Sequence, residues 1–251
     1  MNTSTVFGIH ALRSLLQRAP TRVRRLMIDS KREDARIREL LQLAQAAGVK
    51  TERVDAKAIA GRVGEVTHQG VIAEVESLPA WQEADLLQAL TSQRNPLVLL
   101  LDGVQDPHNL GACLRTADAC GALAVVVPKD RAAGMNPTVR KVAAGAAETT
   151  PLVSVTNLSR SMKLLKEAGL WIAGADMAGE KMAWQADLGG ALALVMGSEG
   201  EGLRDLTRRH CDFLVRLPQV GSVESLNVSV ACGMLLYEAQ RQREAAPSRR
   251  S

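Results

Sequence analysis

Three short segments of the chain carry residue types whose spacing suits chemistry on a ligand. The first, Asp106-Pro107-His108-Asn109-Leu110-Gly111-Ala112-Cys113-Leu114-Arg115, puts an amide and a guanidinium on one connection. Pro107 breaks a strand there, Asn109 can cap the following helix, and Arg115 lies near enough to the helix start to project toward a shared loop surface. The second, Gly197-Ser198-Glu199-Gly200-Glu201-Gly202, has glycines that permit positive φ and close approach of backbone N–H groups to a ligand. It is not a Walker loop, since no GK[ST] follows, and its order does not match GxGxxG. Its two carboxylates disfavour phosphate, whereas Glu199 suits a cationic ligand such as a sulfonium. In the third, Leu217 closes a strand and Ser225 can start the last helix, leaving Leu226 and Asn227 in its first turn. Taken singly, each segment also has a plainer reading: Asn109 as a cap, Arg115 as a surface ion-pair donor, the glycines as a turn, Asn227 as a commonplace first-turn residue.

Strands and helices must bring these segments together. The run from Pro96 to Leu101 is apolar and of strand length, as buried parallel strands are. Further strands are expected at 122–127, 170–175, 191–196 and 213–217. Helices are expected at 109–119, 137–147, 158–168, 203–209 and 225–240. Such alternation argues for a parallel α/β sheet with helices on both faces. Ligands of such sheets sit outside the carboxyl ends of strands, which points to the residues after Leu101, Met196 and Leu217. Residues 1–76 form a smaller α/β unit: a helical face at Ile9, Leu12, Leu15 and Leu16, a strand at 23–28, a helix through Ile37, Leu40, Leu41 and Ala44, a strand at 49–54, a helix at 56–63 and a closing strand at 70–75. The first boundary falls near Ser77. Residues 77–95, with a helical pattern at Leu86, Leu87 and Leu90, suit an interdomain linker, and 96–251 form the second domain.

Of the chain's 251 residues, 46% are hydrophobic and 23% charged, a balance that excludes disorder as the main state. No run reaches the roughly 18 apolar residues of a membrane span, so no membrane role and a cytoplasmic location are expected. Cys113, Cys120, Cys211 and Cys232 form no CxxC pair, and with the four histidines they give no zinc-ligand spacing, so neither a metal nor a disulfide framework is expected. Residues 1–76 hold 13 Lys and Arg against 9 Asp and Glu, while the rest hold 18 of each, so the net +4 lies entirely in the first third. Such clustering suits a polyphosphate partner, with Arg22, Arg24 and Arg25 as candidates to face it, or else forms a solvated basic face. With six aromatic residues in the chain, base stacking is a poor main source of affinity.

Together the set N-x-G-x-x-x-R-T-A, M-G-S-E-G-E-G-L and L-P-x-x-G-x-V-E-S-L-N-V-S-V-A resembles the three signature motifs of the SPOUT-class RNA ribose 2′-O-methyltransferases, the TrmH-like group. The basic N-terminal unit is similar to the ribosomal-protein-L30e-like α/β substrate-binding domain of the branch that methylates guanosine ribose in bacterial 23S rRNA. That resemblance implies a C-terminal trefoil-knotted parallel-sheet domain binding S-adenosylmethionine, which periodicity alone would not indicate because knots are rare. By motif, Gly197, Leu217 and Leu226 would contact the cofactor, and Asn109, Arg115, Glu199, Ser225 and Asn227 would form the catalytic and structural polar set. The resemblance further implies a homodimer, to which the final helix with Val228, Ala231, Leu235 and Leu236 would contribute, and a substrate of 23S rRNA or a ribosome-assembly intermediate. Two alternatives stay open: the same chemistry on tRNA, and a noncatalytic RNA-binding assembly protein on the same fold. A nucleotide-dependent dehydrogenase lacks its glycine fingerprint here.

Overall fold

Apolar alternation in the first 76 residues and continuous apolar runs after residue 96 produce two different sheets. The computed structural model describes residues 3–64, 68–76, 80–223 and 225–245, so the boundary placed near Ser77 and the end of the polar tail lie outside the described residues. The chain divides into two compact units, Met1–Pro79 with Ala144–Thr149, and Ala80–Ala143 with Thr150–Ser251.

In the first unit the order is β1 (Thr3–Phe7), α1 (Ile9–Arg18), β2 (Val23–Asp29), α2 (Ala35–Ala46), β3 (Lys50–Val54), α3 (Ala56–Val63) and β4 (Val71–Glu76). The sheet runs β1-β4-β2-β3, antiparallel except for the parallel β2–β3 pair. The two-residue period of β2 sends Leu26 and Ile28 into a core with Leu12, Leu15, Ile37 and Leu40, and Met27 to the other face with Ile59 and Ile72. Each fully buried aliphatic side chain contributes about 1.5–3 kcal/mol. Asp34 and Asp55 cap α2 and α3 through backbone N–H groups. The basic residues singled out above are engaged: Arg22 Nε donates to the Glu76 carbonyl and Nη2 to Glu148, while Arg25 bonds Glu52 and Glu74. They are ion-pair partners within the unit, which corrects their reading as an open basic face.

The second unit contains α4 (Glu83–Leu90), β5 (Leu97–Asp102), α5 (Pro107–Ala119), β6 (Ala124–Pro128), α6 (Pro137–Val142), β7 (Leu152–Val155), α7 (Leu158–Glu167), β8 (Trp171–Ala175), β9 (Lys181–Met182), β10 (Leu192–Gly197), α8 (Asp205–His210), β11 (Phe213–Arg216) and α9 (Val228–Ala245). Its seven strands are parallel in the order β7-β6-β5-β10-β8-β11-β9. Every residue of β5, β6 and β10 is buried, which is why their sequences read as apolar runs without alternation. Among the described residues no helix is long and apolar enough to cross a membrane.

Several expectations need correction. The stretch expected as linker contains α4, whose Leu86 and Leu90 are buried in the core of the second unit with Val98 and Val153. The helix expected over 137–147 stops at Val142, because Ala144 and Gly145 turn into positive φ, at 51° and 102°. Strands β1, β7 and β9 have no counterpart in the sequence reading. They are edge strands of two to five residues, too short for periodicity to register.

Candidate functional site

The carboxyl ends of β8, β10 and β11 and the start of α9 enclose a cleft of about 280 Å³ in the second unit. Gly197, Glu199, Leu217, Ser225 and Leu226 all line it. So do five residues the sequence reading missed: Asp176, Met177, Glu201, Arg208 and Arg216. The rule that led to the ends of the other strands would have found Asp176 and Met177, which follow β8 directly.

The glycine segment folds as a closed loop. Ser198 and Gly202 exchange backbone hydrogen bonds of 3.1 and 3.0 Å, and Gly200 and Gly202 take positive φ of 85° and 68°. Gly197 is required for a different reason than ligand approach: a β-carbon there would lie 2.1 Å from the Gly202 carbonyl carbon. The strand end and the returning loop touch backbone to backbone, so no larger residue fits without moving one of them.

A latch holds this loop from below. Asp102, fully buried at the end of β5, accepts from Arg204 Nε at 2.7 Å and from the Arg204 backbone N–H at 3.2 Å, with Arg204 Nη2 also bonded. The hydrogen bond to Asp102 raises the Arg204 pKa further above its ordinary value. Asp102 also pairs in register with Gly197, so the pair fixes both ends of the glycine loop to the sheet.

Above the loop sits a polar brace. Asn227 Nδ2 donates to Asn109 Oδ1 at 3.0 Å and to Glu199 Oε1 at 2.5 Å, and the Val228 N–H also reaches Glu199 at 3.3 Å. Asn227 Oδ1 accepts from the backbone of Ser229 and Val230 and from the Ser229 hydroxyl. Asn227 is therefore the cap of α9, which begins at Val228 rather than at Ser225. At the other helix the cap is Asp106, which accepts from the His108 N–H, and that bond lowers its pKa. Buried Asn109 lies in the first turn instead, free to bridge to Asn227.

Arg115 stands apart. It is exposed on α5, does not line the cleft and makes no side-chain bond among the described residues. Six residues of helix carry it about 240° around the axis from Asn109, so one helix cannot aim both at one point. Val228, Leu235 and Leu236 of α9 are buried in their own unit, and its exposed apolar residues are Val230, Met234 and Tyr237. Burial pushes the Cys211 thiol up to about 12 and raises Cys120, which disfavours either as a nucleophile at neutral pH.

The cleft matches a cationic ligand with a flat apolar part. Asp176 is held by Arg208 at 2.8 Å and by the Ala178 N–H at 2.9 Å, beside Glu201, while Met177, Met196, Val215, Leu217 and Leu226 supply apolar walls. Arg208 Nε and Arg216 Nε are buried without a hydrogen-bond partner among the described residues.

Comparison with known proteins agrees with this geometry. Residues 96–237 match the SpoU rRNA Methylase family, and residues 5–81 match the RNA 2′-O ribose methyltransferase substrate binding family. The chain is 50% identical over 246 residues to a 23S rRNA (guanosine-2′-O-)-methyltransferase RlmB of Coxiella burnetii, covering 97% of this chain and 98% of the relative. It is 49% identical to the protein of that name from Escherichia coli K12, covering 95% and 98%. The solved SpoU methyltransferase AviRb from Streptomyces viridochromogenes in complex with AdoMet superposes with a TM-score of 0.73 at 26% identity, covering 97% of this chain and 92% of that one.

Proposed function

The chain belongs to the SpoU rRNA methylase family, and from that premise we propose that it methylates the ribose 2′-hydroxyl of a guanosine in 23S rRNA, using S-adenosylmethionine. The single observation that carries the reading is the cleft where the glycine loop and the segment from Leu217 to Leu226 meet, walled by apolar residues and carboxylates, with the first motif segment tied to it through the Asn109–Asn227–Glu199 brace.

When bound, S-adenosylmethionine supplies an electrophilic methyl group on a sulfonium. Glu199 and Glu201, with Asp176 already paired to Arg208, would supply negative charge toward that cation, and Leu217 and Leu226 would supply apolar walls for the adenine. Both amide protons of Asn227 are already used, so Asn109 and Asn227 act as positioning residues that fix Glu199 and the start of α9. The attacking hydroxyl is protonated at neutral pH and must be aligned before it loses its proton. Arg115 performs that alignment: its guanidinium holds the hydroxyl or an adjoining phosphate and stabilises oxyanion character as it develops.

Because Arg115 lies outside its own cleft, this reading includes a homodimer in which a second copy presents it. The exposed apolar stripe of Val230, Met234 and Tyr237 on α9, which packs against α5, supports that contact. The trefoil knot belongs to the same reading. It is supported by β10 lying between β5 and β8 and by Asn227 and Val228 being bonded to Glu199 in the preceding glycine loop. The domain division is likewise part of it: an RNA-binding N-terminal unit and a catalytic unit, working in the cytoplasm.

The test is to map ribose methylation in 23S rRNA and tRNA from a strain lacking the protein and to restore it with purified protein and S-adenosylmethionine. Loss and restoration of one guanosine mark in 23S rRNA is the expected result. A mark confined to tRNA, or none, would overturn the substrate assignment.

A further inference from the structure

The second unit has another cavity, of about 240 Å³, at the carboxyl ends of β6 and β7, where parallel sheets place ligands. Its lining includes Asp130, Arg131, Thr156, Asn157, Arg204 and Thr207. The walls are fixed without any ligand: the Lys129 N–H bonds the Val155 carbonyl at 2.8 Å, and the Ala133 N–H bonds the Val104 carbonyl at 2.9 Å. Between those anchors Arg131 is held at a φ of 59°, a conformation few side chains adopt.

Its polar groups are unspent. Asp130 and Arg131 make no side-chain hydrogen bond or ion pair among the described residues. Thr207 lines the cavity and is only 2% exposed. The contrast with the first cleft is clear, since the amide of Asn227 there is saturated by protein.

Charge decides which ligand fits. Arg204 is neutralised by buried Asp102, and Asp130 balances Arg131, so the cavity presents donors and acceptors without net charge. A phosphate would meet the carboxylate of Asp130 unfavourably. A neutral, flat group with both kinds of edge fits better, and the volume lies below the roughly 300–1,000 Å³ of drug-sized ligand sites. Among nucleobases only guanine offers two adjacent donors, N1–H and the N2 amino group, to a carboxylate, with O6 and N7 as acceptors for a guanidinium. Arg204 lines this cavity and directly follows the glycine loop of the first cleft, so the two cavities flank one segment of chain.

We propose that this second cavity is a guanine pocket for a base splayed out of the RNA substrate, with Asp130 accepting from the base's N1–H and N2 amino edge and Arg131 donating to its O6 and N7 edge. Unstacked bases read on such edges are the usual source of sequence specificity in RNA recognition. The proposal rests on the rRNA guanosine methylation put forward above.

Full-length protein would be assayed on an unmethylated 23S rRNA fragment carrying the target guanosine. Inosine, which lacks only the N2 amino group, replaces guanosine at that position or, in separate arms, at each neighbouring guanosine. The wild-type protein is expected to lose about 10- to 100-fold in kcat/KM in one arm, which identifies the base that enters. Asp130→Ala should lose a similar factor on the unmodified fragment and show no further penalty with inosine, while Thr207→Val should weaken both substrates alike. Indifference of the wild type to inosine in every arm overturns the proposal, as does an inosine penalty that persists in Asp130→Ala. A uniform, salt-dependent loss in Arg131→Ala with base discrimination intact would overturn it in favour of a phosphate contact. If the wild type places no methyl group on guanosine ribose at all, the parent reading fails, and that result is distinct from any of these.

Discussion

In the N-terminal unit, charge lies on the surface and is mostly spoken for. Arg25 shares Glu52 and Glu74, Arg62 reaches the same Glu74, and Arg53 bonds the carbonyls of Asp29 and Arg32. In the second unit the decisive charge is a single buried carboxylate, Asp102, on which the glycine loop depends. Exposed pairs of the first kind contribute about 0–1 kcal/mol each and are screened by salt. A buried pair of the second kind costs little or nothing overall while intact and a great deal when one partner is removed. Counting charges along the sequence therefore overstates the free positive charge of the first unit and misses the buried ion pair that anchors the glycine loop.

The largest effect expected concerns Arg115, the one site residue outside both descriptions. Arg115→Ala should lower turnover by about 100- to 1,000-fold, in line with loss of a transition-state donor, while calorimetry shows cofactor affinity unchanged. Arg115→Lys should rescue poorly because an ammonium lacks the planar fork. If a second copy supplies it, mixing Arg115→Ala with an inactive Gly197→Val protein that still folds should restore part of the activity. Near wild-type turnover in Arg115→Ala would remove it from the mechanism.

Next in size is the buried latch. Arg204→Ala leaves Asp102 in a nonpolar setting with only a backbone N–H, and should lower stability by about 3 kcal/mol in urea unfolding. Asp102→Ala should cost less, because Arg204 is half exposed and can return to water. Equal costs for the two would mean that the pair is not buried in the way the comparison requires.

The sequence was informative where burial is continuous and blind where contacts are long-range. The apolar run ending at Met196 and the glycine spacing after Gly197 located one wall of the cleft, because buried parallel strands and positive-φ turns leave local signatures. Asp176 lay within reach of the strand-end rule, but Arg208 left no signature, since an Arg on a short helix acquires meaning only when α8 comes beside Asp176. The caps were misplaced by two or three residues at both site helices. Asp106 and Asn109, like Ser225 and Asn227, are both plausible starts by residue type, and only the hydrogen bonds choose between them. Leu86 and Leu90 read as linker because a short helical pattern does not say what it packs on.

The smallest effect expected tests the first unit directly. Lys31, Arg36 and Arg38 are exposed and make no side-chain bond among the described residues, unlike Arg22 and Arg25. If the unit binds an RNA backbone, the unpartnered cations are the ones available to displace counterions, and each phosphate they contact adds about 0.7–0.9 to the slope of log affinity against log salt. Replacing Lys31, Arg36 and Arg38 by alanine should therefore make that slope shallower by up to about 2–3 for an rRNA fragment, with thermal stability unchanged. Replacing Arg22 and Arg25 should do the reverse. Removing Arg22 takes an ion-pair partner from Glu148, whose side chain is 6% exposed, so the melting temperature falls while the slope changes little. Identical slopes for the two variants would mean that ion pairing within the unit does not govern which cations meet the RNA. A shallower slope only in the Arg22 and Arg25 variant would mean that those pairs open on binding, making them latent contacts in place of structural ones.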